Sequence, residues 1–224
     1  MYWSDIFYIL TLVLFVVSLI LSGVLRSRFK KYSQVPARMT GAEAAQRILF
    51  ANGIRQVPIQ AVGGTLTDNY NPTNRTLNLS EGVCNQSSVA AVAVAAHECG
   101  HAIQDATGYG LLRLRKSVAP VCSIGSSGAY IAILLGIFLR VSNLITLGAA
   151  LFSLVVVFNL ITLPVEVDAS RRAMGEIERL GLVREEDLAG CRKVLFAAGM
   201  TYFISLVTSI VQLLRLLSMA RRRS

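Results

Sequence analysis

Residues 141–165 read VSNLITLGAALFSLVVVFNLITLPV, twenty-five positions without a charged side chain, and the next eight, EVDASRRA at 166–173, hold two carboxylates and two arginines. A run of that length exceeds the roughly 20 residues an α-helix needs to cross a bilayer. Residues 6–25, 117–139 and 194–214 are also free of charge. With 54% hydrophobic residues and a mean hydropathy of +0.56, a chain of 224 residues has too little polar surface to wrap four buried core helices. The composition therefore predicts a mainly α integral membrane protein with about four transmembrane helices, the lipid bilayer being its first partner.

The first stretch reads as a retained anchor: its N-terminal flank carries Asp5 and no basic residue, and no small-residue cleavage pattern ends it. Arg26, Arg28, Lys30, Lys31 and Arg38 follow it, and Arg113, Arg115 and Lys116 precede the second stretch. The positive-inside rule then predicts a cytoplasmic segment at 26–116 and an outside N-terminus. Two further spans return residues 166–193 to the same side, again with basic residues (Arg171, Arg172, Arg179, Arg184, Arg192, Lys193). The expected organisation is a first span at 1–25, a catalytic segment at 26–116, spans two and three at 117–165, a helical segment at 166–193, and a fourth helix with a basic tail at 194–224. A full fourth span would leave Arg221, Arg222 and Arg223 outside, so the last helix either bends back near Gln212 and Arg215 or is outvoted by the first three. The net charge of +9 sits beside the spans with no aromatic interleaving, which favours anionic lipid and excludes nucleic acid as a partner. A transporter would need charge within its spans, and the first three have none.

Cys84, Cys99, Cys122 and Cys191 show no zinc spacing and would stay reduced in the cytoplasm. The Asn-x-Ser/Thr matches at Asn74, Asn78 and Asn85 are idle there. Within the polar segments, Thr40 and Glu43 form a capping box before a short amphipathic helix closed by Gly53. Residues 57–80 alternate loosely, which predicts two or three short strands and a hairpin turning at 71–74. Ser87 or Ser88 caps a helix from Val89 to about Ala106. Pro164 marks a turn or a first helical position, helix follows from Glu166 to Leu180, and Arg184 to Asp187 start the last helix.

The helix beginning at Val89 contains HECGH at 97–101, an HExxH pattern, and His97 and His101 are the chain's two histidines. Four residues apart, they project from one face and can share a metal. Glu98, about 100° around the helix, is expected to be the catalytic residue, taking a proton from a zinc-bound water and passing it to the leaving amine. Cys99 falls on the opposite face, which argues against thiolate ligation. A catalytic zinc takes three protein ligands and keeps one position open. With no third histidine, the third ligand must be a carboxylate. Glu81 and Asp105 lie too near the histidines in sequence, which leaves Glu166 and Asp168. Glu166 is the expected ligand, its competing reading being a carboxylate at a helix N-terminus. Asp168 is expected to hold a ligand histidine's outer N–H, or to serve as the alternative ligand.

HECGHAIQ at 97–104 and LPVEVDASRRA at 163–173, among spans so distributed, resemble the YugP-type family of neutral zinc membrane peptidases across almost the whole chain. More distantly the chain is similar to the HtpX-type membrane proteases, in which a glutamate on a later helix completes a histidine–glutamate helix. That resemblance implies a compact zincin-like (gluzincin) α+β unit with a short hairpin or sheet, one catalytic Zn2+, polypeptide substrates, and a role in membrane protein quality control. The HtpX pattern has an aspartate four residues after the ligand glutamate, where this chain has Ser170. The expected location is a bacterial plasma membrane, with the catalytic segments on the cytoplasmic side. Zincins lay substrate along a sheet edge, and the 64–80 hairpin is the candidate. Tyr70, Tyr109, Arg171 and Arg172 are the side chains considered for stabilising the oxyanion. Small residues from Ser123 to Ala129 suit close helix packing, within the chain or in a homo-oligomer. The alternative to an enzyme is a zinc-stabilised membrane scaffold or chaperone-like binding protein.

Overall fold

The computed structural model describes residues 2–223, with side chains from Ile6 to Arg221; Met1, Ser224 and the side chains of Asp5, Arg222 and Arg223 lie outside the described residues. In chain order the elements are α1 (Tyr2–Ser33), α2 (Gly41–Ala51), β1 (Ile59–Val62), β2 (Asn69–Asn71), β3 (Thr76–Ser80), α3 (Glu81–Cys84), α4 (Val89–Ala106), α5 (Gly110–Phe138), α6 (Ser142–Arg179) and α7 (Leu188–Arg223). A short 3-10 turn at Glu185–Asp187 leads into α7. Among the described residues, four helical stretches are long and apolar enough to cross a membrane: Ile6–Ser33, Gly110–Phe138, Ser142–Arg179 and Glu185–Arg221. The protein is thus a mainly helical membrane protein carrying one small sheet.

The chain divides into two compact units. One comprises Met1–Ile20, Leu114–Pro164 and Thr201–Ser224. Its buried cluster is small, Ala129, Ala149, Phe152, Val156 and Leu216. Large apolar side chains such as Ile124, Leu134 and Phe138 stay exposed, as lipid-facing surface requires. Two of the small residues of α5 pack within the chain: Ala129 is fully buried, and a side chain at Gly125 would collide with Leu154 of α6.

The other unit comprises Leu21–Arg113 and Val165–Met200 and holds the larger core. Its sheet has the order β1-β3-β2, with β1 parallel and β2 antiparallel to β3. The register Tyr70↔Leu77 and Asn71↔Thr76 closes the expected hairpin over residues 72–75. The capping box at Thr40 and Glu43 forms, and Ser88 caps α4 by accepting from the Ala91 N–H at 3.2 Å.

Two boundaries differ from expectation. Pro164 neither turns the chain nor starts a helix, because α6 runs through it to Arg179. Its missing N–H costs one backbone hydrogen bond, to the Leu160 carbonyl, and an apolar helix packed on neighbours tolerates that loss. Glu166 therefore lies in a helix interior, not at a positively polarised N-terminus. The first helix also runs on, to Ser33. Of the two forms left open for the last helix, α7 takes the unbroken one, continuing through Gln212 and Arg215 to Arg223.

Candidate metal centre

The alanines of α4 leave its backbone close to its neighbours, and fourteen of its eighteen residues are buried. At Gly100 this closeness has a steric cause. A Cβ there would lie 2.5 Å from the Ala169 carbonyl oxygen, so glycine is what lets α4 and the second half of α6 approach. Three residues before Ala169, Glu166 enters the space beside the histidines, 2% exposed. Its Oε2 lies 3.1 Å from His97 Nε2 and 3.5 Å from His101 Nε2. The ligand atoms of His97, His101 and Glu166 all fall within 4.8 Å of one another.

The 3.1 and 3.5 Å separations of Glu166 from the two imidazoles suit zinc. Bonds of about 2.0–2.2 Å to nitrogen and oxygen in a tetrahedral site separate ligand atoms by about 3.3–3.5 Å. Two neutral imidazoles and a carboxylate are also the donor set of a site that leaves a position open. Burial opposes charge on His101, but the hydrogen bond and charge of Glu166, with the Glu98 charge and Gln104, outweigh it and raise its pKa.

The outer nitrogens are held differently from expectation. His101 Nδ1 is 3.0 Å from Gln104 Oε1, and Gln104 Nε2 donates to the Val165 carbonyl (2.8 Å) and to Asp168 Oδ2 (3.0 Å). Asp168 thus meets His101 through Gln104. The nitrogen on His97 faces Ser170, with Oγ 3.2 Å from Nδ1. Asp168 also accepts from Arg171 and Arg172 at 2.6 Å each. From the sequence Gln104 received no role and Ser170 was noted only as a departure from the HtpX pattern, although a signal was present: Gln104 is three residues after His101 and Ser170 four after Glu166, each on the same helix face as that residue.

Glu98 is 8% exposed, and its Oε2 accepts the Tyr70 N–H at 2.9 Å. Tyr70 sits on the edge strand β2, and its phenol donates to Asp105 Oδ2 at 2.9 Å. Burial, then the bond to Asp105, pushes the Tyr70 pKa up. Asp105 lies seven residues after Glu98, on the same helix face, so one tyrosine ties β2 to α4 at two points. Arg75 adds an ion pair to Asp105 at 3.5 Å. Of the other side chains considered for the oxyanion, Arg171 and Arg172 are engaged by Asp168, and the Arg172 guanidinium lies 5.8 Å from the centre of the Tyr109 ring. Cys99 faces away, its Sγ 3.7 Å from the Ala45 carbonyl of α2, and burial drives its thiol pKa well up. Glu81 begins α3.

The chain is 47% identical over 192 residues to a Bacillus subtilis (strain 168) protein described as "Putative membrane protease YugP", covering 85% of each. No solved structure matches the chain. Residues 7–221 match the family described as "Putative neutral zinc metallopeptidase", and on that extent of match the chain belongs to this family.

Proposed function

We propose that the protein is a membrane-embedded zinc metalloendopeptidase with a small gluzincin-type catalytic unit. In this reading His97, His101 and Glu166 hold the metal and Glu98 is the catalytic base. The observation that carries it is the convergence of two imidazole nitrogens and one buried carboxylate at zinc-like spacing, with Glu98 next to His97 in the chain. Bound there, Zn2+ would supply Lewis acidity and make water a competent nucleophile near neutral pH. The Tyr70 N–H holds one oxygen of Glu98, and the other takes a proton from the attacking water and returns it to the leaving amine. Gln104 and Ser170 hold the outer faces of the imidazoles. The edge strand β2, beside Glu98, suits an extended polypeptide laid along it. Basic residues flanking the apolar stretches favour a cytoplasmic site. That placement suits unfolded or membrane-proximal polypeptides, as in membrane protein quality control.

The test uses the full chain purified in detergent. Chelator-sensitive digestion of casein is expected, with about one zinc per chain. Glu98→Gln should keep the zinc and lower kcat by about 10²- to 10⁴-fold. Undiminished digestion by that variant overturns the mechanism, and zinc without any digestion in the wild type favours the scaffold reading.

A further inference from the structure

We infer that Gln104 is a positioning residue that keeps a hydrogen on His101 Nδ1, so that Nε2 is the nitrogen left to give its lone pair to a metal. The inference rests on the reading of His101 as a zinc ligand. Gln104 is 0% exposed, so water cannot stand in for its partners. Its amide has two hydrogens on Nε2 and an acceptor oxygen, Oε1. The Nε2 side faces the Val165 carbonyl at 2.8 Å and Asp168 Oδ2 at 3.0 Å. A carbonyl only accepts. The Asp168 carboxylate, paired with Arg171 and Arg172, only accepts as well.

Flipping the amide would set Oε1 against those two acceptors and lose two buried hydrogen bonds. The amide orientation is therefore dictated, and Oε1 faces His101 Nδ1 at 3.0 Å. An amide oxygen cannot donate, so Nδ1 carries the hydrogen. In a neutral imidazole the other nitrogen is then the lone-pair donor, and Nε2 is the atom beside Glu166. The bond to Val165 has a second effect, because that carbonyl immediately precedes Glu166 in the chain. One buried amide thus orients a histidine of α4 and anchors the turn of α6 that carries the carboxylate. His97 differs: its Nδ1 faces the Ser170 hydroxyl, a rotor that can donate or accept and selects no tautomer.

The experiment measures zinc affinity of the full chain in detergent, by competition with a chromophoric chelator, for the wild type, Gln104→Met, Ser170→Ala, His101→Ala and the His101→Ala/Gln104→Met double variant. Gln104→Met keeps the side-chain length without the amide and should weaken zinc about 10- to 100-fold. Ser170→Ala should weaken it less. With His101 already removed, Gln104→Met should change little further. Affinity within about twofold of wild type for Gln104→Met overturns the inference, as does an equal loss with and without His101, which would mark a packing role. A wild type that binds no zinc overturns the underlying ligand reading instead, before any variant is compared. If Gln104→Met does not fold, the wild type still decides by 15N-histidine NMR. The two imidazoles are separated by the response of His97 to Ser170→Ala. A slowly exchanging Nδ1–H proton on His101 is expected, and an Nε2–H tautomer in the metal-free protein overturns the inference.

Discussion

The two halves of α6 have nearly opposite surfaces. Before Pro164, Leu147, Val157 and Leu160 are each about half exposed, and the buried positions are mostly apolar, such as Ile145, Ala149 and Phe152, with Thr162 as the polar one. After it, Val165, Ala169, Ala173 and Ile177 are completely buried together with Glu166, while Arg171 is exposed. The first half suits a surrounding as apolar as its own side chains. The second has the apolar-in, polar-out pattern of a helix facing water. A buried charge is tolerated only with partners at hand, and Glu166 has two imidazole nitrogens within 3.5 Å.

Substitutions along and against this helix should reproduce the contrast. The largest effect belongs to Glu166→Gln, which replaces the carboxylate beside the histidines. Zinc affinity should fall at least about 100-fold by chelator competition, and a variant that kept its zinc while Asp168→Asn lost it would move the third ligand to Asp168. Next comes Gly100→Ala, whose added methyl meets the Ala169 carbonyl. It should destabilise the protein by about 1–3 kcal/mol in thermal unfolding and weaken zinc by parting α4 from α6; an unchanged Tm would mean that the two helices are free to separate. Smaller again, Arg171→Ala should lower Tm only slightly, because that guanidinium is exposed and Arg172 still pairs with Asp168. In the lipid-type half, Leu160→Ala should change Tm least, with about 0.5 kcal/mol or less lost; a drop as large as that of Gly100→Ala would show that Leu160 is covered in the assembled protein.

Much of the site was legible beforehand because its parts obey short-range rules. The spacing of His97 and His101 places both on one helix face whatever surrounds it, and Ser88 caps that helix through a bond three residues away. The lack of any further histidine directed attention to carboxylates. Pro164 was misread for the opposite reason. Its effect on a helix depends on whether neighbouring helices hold the two sides in line, and no local pattern reports that. Asp168 was expected directly on a histidine, but Gln104 stands between them, a residue whose buried amide looks like any helix glutamine until α6 is packed against it.

The sequence by itself determined the apolar helices, the shared face of His97 and His101 on α4 and the lack of a third histidine, since length without charge and helical periodicity are properties of contiguous residues. Only the tertiary structure decided which carboxylate meets the histidines, that Tyr70 secures Glu98, and that Gln104 and Ser170 hold the outer imidazole nitrogens. Glu166 lies 69 residues from His97 in the chain. Contacts across that separation depend on how closely two helices can pass, and here that distance is set by a glycine against a carbonyl.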